Sequence, residues 1–166
     1  MDRVSSITDI FNDGSDLSVV LCATAFVDRE LRTRIEQFCR KSSVTEAALD
    51  PKNVLLGDLQ KKADFLYITS QIDKTTFRAV SKLGEIRNVF GHSPSEKRLD
   101  DLDVGTLVDH LCQITHALSK FPEGDAFIAK VFQKSRTKFT MAVYPLIFDL
   151  AWFSDHPELR KQSIAP

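Results

Sequence analysis

Residues 73–92 read DKTTFRAVSKLGEIRNVFGH, and the class of the fold turns on this stretch. Asp73 has the side chain to accept a hydrogen bond from first-turn amides, and Ile72 with Phe77 has the spacing of a hydrophobic staple. At helical periodicity Phe77, Val80, Leu83 and Phe90 share an arc of about 140°, and Arg87 falls inside it. Gly91 followed by Ser93 and Pro94 ends the helix, since glycine permits a left-handed cap and proline forbids continuation. A guanidinium stays charged, so an arginine turned toward a core needs a carboxylate or carbonyls around it. The sequence thus predicts a buried cation with an acidic partner.

That partner is expected on the first long helix, predicted from Ser15 to about Arg40. Leu17, Val20, Leu21, Thr24, Val27, Leu31, Ile35 and Phe38 recur there at three and four residues, and Asp28 lies among them. A structural ion pair between Asp28 and Arg87 follows as the expectation. Ser43 to Glu46 matches a capping box opening a short helix that stops before Asp50-Pro51. A second amphipathic helix is predicted from Val54 to about Ser70 on Leu55, Leu59, Ala63 and Leu66, with Lys61 and Lys62 on or beside its solvent side. Residues 93–103 read as a polar surface loop. Asp103 is placed to cap a helix carrying Val104, Leu107, Val108, Leu111, Ile114 and Leu118. From Asp125 a long C-terminal helix carries Phe127, Ile128, Val131, Phe132, Phe139, Ala142, Val143, Leu146 and Leu150, and Pro145 should kink or divide it.

No alternating strand pattern, internal repeat or low-complexity tract is found. The expected fold is all-α: a single-domain helical bundle of about five main helices over residues 15–156, preceded by an arm or short helix over 1–14 and followed by a tail over 157–166. The chain has 166 residues, 43% apolar and 27% charged, with formal net charge −1. One core is the natural outcome at this size. The balanced charge does not point to a nucleic-acid cradle, so contact with phosphates would need a local patch. Lys130, Lys134, Arg136 and Lys138 form such a patch on the C-terminal helix, a candidate partner or nucleic-acid surface. Three widely spaced cysteines, Cys22, Cys39 and Cys112, with no signal segment before them, read as reduced thiols in a cytoplasm. Cys112 and His116 share a helix face on the solvent side with no further ligand nearby, so no metal or cofactor is expected. The apolar run from Phe139 to Phe153 is broken by Pro145 and Asp149, which argues against a membrane span. Its excess of apolar residues around Tyr144 to Phe153 points instead to central packing or a homodimer.

Two resemblances are carried by short motifs in order. Leu56-Gly-Asp-Leu59 with Lys61 and Leu66-Tyr67, then a polar helix ending Arg87-Asn-Val-Phe-Gly-His92, then a basic and apolar C-terminal helix, is similar to the mannitol operon repressor (MtlR) family from about Ser15 to Trp152. This resemblance implies a cytoplasmic, all-helical bacterial protein associated with control of sugar-alcohol uptake genes, without a DNA-reading module, and acting through a protein partner or weakly specific contacts. The loop after Arg40 and the tail after His156 match nothing in it. Arginine, a polar residue, three further residues and histidine at a helix end also resembles the HEPN superfamily, many of whose members are metal-independent ribonucleases. That likeness implies Arg87, Asn88 and His92 as the catalytic set, arginine and histidine facing each other across a dimer, with histidine moving a proton and arginine neutralising the phosphorane-like transition state. The tyrosine that one subgroup places two residues after the histidine is Pro94 here. The structural role for Arg87 is favoured, because an arginine within an apolar arc serves packing first.

Overall fold

The computed structural model describes residues 11–12, 14–92, 97–115 and 134–155, and helix is the regular structure throughout them. Among the described residues six helices follow in order: α1 Asp16–Phe38, α2 Ser43–Ala48, α3 Leu59–Ile68, α4 Lys74–His92, α5 Leu102–Ile114 and α6 Ser135–Asp155. The bundle is built by packing α1 on α3, α4 and α6, α4 on α3 and α5, and α5 on α6. The all-α bundle read from the sequence is the architecture found.

Four of the helices start where a side chain accepts a first-turn amide. The Ser15 hydroxyl accepts from Ser18 N at 3.2 Å, Ser42 from Thr45 N at 3.2 Å, Asp58 from Lys61 N at 2.8 Å and Asp73 from Thr76 N at 2.6 Å. The third helix therefore begins at Asp58 rather than at Val54. Residues 50–57 instead form a tight loop, in which Leu56 N donates to Ala48 O and Gly57 N to Asn53 O, each at 3.1 Å. Only glycine fits at position 57, because an added Cβ would run into the carbonyl oxygens of Asn53, Pro51 and Asp50. The fifth helix starts after Asp101 and not at Asp103, whose carboxylate is taken by Lys97 at 2.7 Å. This hydrogen bond lowers the Asp103 pKa and raises that of Lys97.

α1 buries Val19, Val20, Ala23, Thr24, Val27, Glu30, Leu31, Arg34 and Ile35. Of the stripe the sequence suggested, Val20, Thr24, Val27, Leu31 and Ile35 face inward, while Leu17, Leu21 and Phe38 are exposed. Asp28 consequently lies at the edge of the buried face. The expected Asp28–Arg87 ion pair is not formed. Asp28 Oδ1 instead accepts from Lys62 Nζ at 2.6 Å, and the Lys62 side chain is only 3% exposed. Lys62 is thus an interior cation, correcting its assignment to the solvent side of α3. Arg87 is exposed, and its Nη1 donates to Asn88 Oδ1 at 3.1 Å. On α4 the buried residues are Ala79, Val80, Leu83, Ile86 and Phe90. Arg87 lies at the rim of that face and is exposed, while Ile86 before it and Phe90 after it stay buried.

The buried guanidinium belongs to α1 itself. Arg34, 3% exposed, donates to Gln71 O at 3.3 Å, Asp149 O at 3.0 Å and Leu150 O at 3.2 Å. It joins α1 to the α3–α4 connection and to the last turns of α6. That connection turns at Ser70, whose φ of 55° is left-handed, and Gln71 N closes it onto Leu66 O at 2.6 Å.

α6 begins at Ser135, with Ser135 N donating to Asp100 Oδ1 at 3.1 Å. It runs continuously through Pro145, so proline does not divide it, although the missing amide leaves Met141 O without its i+4 donor. Phe139, Ala142, Val143, Leu146, Ile147 and Leu150 are buried. Packing against both α1 and α5 accounts for most of the apolar excess that also suggested a homodimer, although Phe148 is 62% exposed. The expected start at Asp125, and Lys130 with it, lie outside the described residues. Cys112 is buried at the α5–α6 contact, its Sγ donating to Lys138 O at 3.3 Å, and not on the solvent side as its spacing suggested. His116 lies outside the described residues.

Two measurements test this packing. Arg34→Ala should lower unfolding free energy by about 3 to 5 kcal/mol, because three interior carbonyls lose a charged donor. Arg87→Ala should shift it by no more than about 0.5 kcal/mol, and urea denaturation of both variants decides. Burial, reinforced by the charge of Asp109, pushes the Cys112 thiol from 9.0 to about 11. The unfolded thiol ionises first, so the stabilisation present below pH 9 is lost as pH rises toward 11. At pH 8 a disulfide reagent should label Cys22 and Cys39 within minutes and Cys112 only after denaturant is added.

Candidate functional site

An open groove of about 940 Å³ runs between α1, the loop ahead of α3, the start of α3 and α4. Four residues of α1 line one side, Leu21, Thr24, Ala25 and Asp28, and five of α4 the other, Ser81, Gly84, Glu85, Arg87 and Asn88. Pro51, Gly57, Asp58, Leu59 and Gln60 close the third side. The tight loop built around Gly57 and the cap at Asp58 therefore fix one rim.

The floor is shallow because its side chains are small. Ala25 and Ser81 fill little space, and a Cβ added at Gly84 would meet Leu59 Cδ2 at 3.6 Å, an ordinary contact. Ser81 and Thr24 direct their hydroxyl protons back to Phe77 O and Val20 O, at 3.0 and 2.8 Å. Each carboxylate on the groove has a lysine beside it: Asp28 with Lys62 at 2.6 Å, Asp58 with Lys61 at 3.5 Å and Glu85 with Lys82 at 2.5 Å. Arg87 has no carboxylate at ion-pair distance among the described residues. The two residues first expected to pair, Asp28 and Arg87, thus line one groove without touching.

The structure brings two of the three HEPN-like residues together. Arg87 and Asn88 are bonded and face the groove, whereas His92, exposed at the last position of α4, is not among the lining residues. Five residues on a helix turn the side chain by about 140° and move it about 7.5 Å. Arg87 and His92 of one chain therefore point to different sides, and a phosphate held between them would need a second copy.

Two of the four basic residues expected on the C-terminal helix, Arg136 and Lys138, are committed within the molecule. Arg136 donates to Phe11 O, Asn12 O and Gly14 O at 2.9, 3.4 and 2.7 Å and pairs with Asp16 at 3.4 Å. Lys138 pairs with Asp109 at 2.6 Å. Lys134 is exposed. This is a clamp on the start of α1, where Phe11 packs edge-on to Tyr144 at 5.3 Å, rather than a free cationic face. Spacing in the sequence shows the lysines and arginine but not the acids that meet them from other helices. The groove itself also escaped sequence reading, because its walls come from four separate segments. Among the described residues no three His, Cys, Asp or Glu side chains are grouped to hold a metal ion, and no helix is long and apolar enough to cross a membrane.

No protein-family model and no curated protein matches the sequence. Among solved structures the chain is similar to the X-ray structure of the MtlR–HPr complex from Escherichia coli, with a TM-score of 0.68 and 18% sequence identity, covering 89% of this chain and 97% of that chain. Nearly the whole of one fold is thus reproduced by a sequence that shares fewer than one residue in five with it. The chain has an MtlR-like fold.

Proposed function

We propose that this chain is a cytoplasmic bacterial regulator of the MtlR type, which acts by binding a protein partner of the HPr kind rather than by catalysis. The observation that carries the reading is the fold likeness, extending over 97% of a chain that was solved as a complex with HPr. The internal commitment of Arg136 and Lys138 supports protein over nucleic acid as the partner, since those charges are spent on Asp16, Asp109 and carbonyls. Control of sugar-alcohol uptake genes is what this kinship implies, exerted without a DNA-reading module. Purified HPr titrated into the chain in a calorimeter should give saturable binding with Kd below about 100 μM, and a flat titration at that concentration removes the reading. Duplex DNA should show no binding at physiological salt.

A ribonuclease reading is favoured by one observation, the exposure of Arg87, Asn88 and His92 at the end of α4. It requires two chains to meet there. Incubation of the chain with single-stranded RNA in the presence of a chelator should yield no cleavage above buffer. Cleavage that disappears in His92→Ala, with unchanged melting temperature, would establish the enzyme instead.

A further inference from the structure

Arg87 has a position that the chain's own charges do not explain. Around the groove each carboxylate is met by a lysine of the same chain, so its acids are close to neutralised from within. The guanidinium gives one N–H to Asn88 Oδ1, which leaves its remaining donors, and the Asn88 amide N–H groups, at the groove's mouth. Such a cluster of donors fits an anionic oxygen pair, and an arginine meets a carboxylate bidentately with a shorter, stronger bond than neutral partners form.

Among its lysine-paired carboxylates the groove also has an apolar lining, with Leu21 and Ala25 on the α1 side, Gly84 on the α4 side and Leu59 on the third side. Leu21 is 44% exposed, and the loop that makes the rim carries Val54 and Leu55 at 80% and 69% exposure. A free metabolite in the groove would leave these outer residues in water, whereas a protein segment laid across the rim would cover them.

We infer that the groove is the docking surface of this chain for a protein segment that sets an apolar side chain between Leu21 and Leu59 over Gly84 and presents a carboxylate to Arg87. The inference rests on the protein-partner reading above and gives it a location and a chemistry. Gly84 is the element that admits the apolar side chain, and Arg87 is the element that selects for an acid.

The test uses two probes on the full chain. A helical peptide of about 15 residues, with leucines four apart and a glutamate one turn further on, is titrated while the amide resonances of Ala25, Gly84 and Asn88 are followed. Those resonances should shift, and the same peptide with lysine in place of glutamate should bind at least tenfold more weakly. Arg87→Glu should reverse that preference, and Gly84→Phe should abolish binding by either peptide with the helical circular dichroism unchanged. Equal affinities for the two peptides, shifts confined to other surfaces, or binding unaffected by Arg87→Glu would overturn the inference, as would equal shifts from free glutamate, which would make this a small-anion site. HPr is the second probe. HPr binding that survives both substitutions removes the groove and leaves the partner reading standing. Absence of HPr binding, with the glutamate peptide still seated on Gly84 and Arg87, removes HPr and leaves the groove.

Discussion

Arg34 holds together three parts of the chain that are remote in sequence. Its guanidinium, enclosed in the bundle, meets the carbonyls of Gln71, Asp149 and Leu150, so α1, the α3–α4 connection and the end of α6 share one charged donor. A carbonyl turned toward the interior without a donor is unfavourable by about 1 to 3 kcal/mol, and a guanidinium without acceptors by more. Neither side tolerates loss of the other. Lys62 and Asp28 repeat the principle between α3 and α1 with a single ion pair. These two cations set the relative position of the helices that line the groove, and the apolar stripes fill the space between them.

Much of the architecture was legible in the residues. The capping side chain Asp73, the start at Ser15, the three- and four-residue apolar spacing of α1 and α5, and the stop at Asp50-Pro51 place most helices within a few residues, whereas Gly91, read as a left-handed stop, is still helical together with His92. A buried cation opposite an acid of the first helix was also a sound expectation, and Asp28 was its correct acid. The cation was misassigned because periodicity marks an arc around the axis and does not say which part of it a neighbour covers. Arg87 lies at the rim of that arc, exposed between the buried Ile86 and Phe90. Lys62 was missed for a different reason: a long stem lets an ammonium reach an acid from inside a helix contact, so charge alone does not place a lysine on the solvent side.

The candidate site was less legible than the fold because it belongs to no single segment. Gly57 shapes a loop only once Asn53, Pro51 and Asp50 turn their carbonyls toward it, and Gly84 lines a groove only once Leu59 comes into contact range of it. The basic run on α6 shows the same limit from another direction. Read alone, Arg136 and Lys138 resemble a phosphate-binding face; in the folded chain Asp16 and Asp109 have already claimed them. What the groove keeps is a set of apolar side chains among lysine-paired carboxylates, and one guanidinium, Arg87, that no carboxylate of the described residues meets.

The carbonyls that Arg34 requires on α6 lie 115 and 116 residues downstream of it. During synthesis at about 5 to 20 residues per second, the first helix therefore spends roughly 6 to 23 seconds outside the ribosome before its interior charge can be satisfied. The nascent N-terminal half has to keep that arginine in water, and α1 cannot adopt its final seat until the closing helix arrives. The bundle thus closes around its interior charge only after α6 has been made.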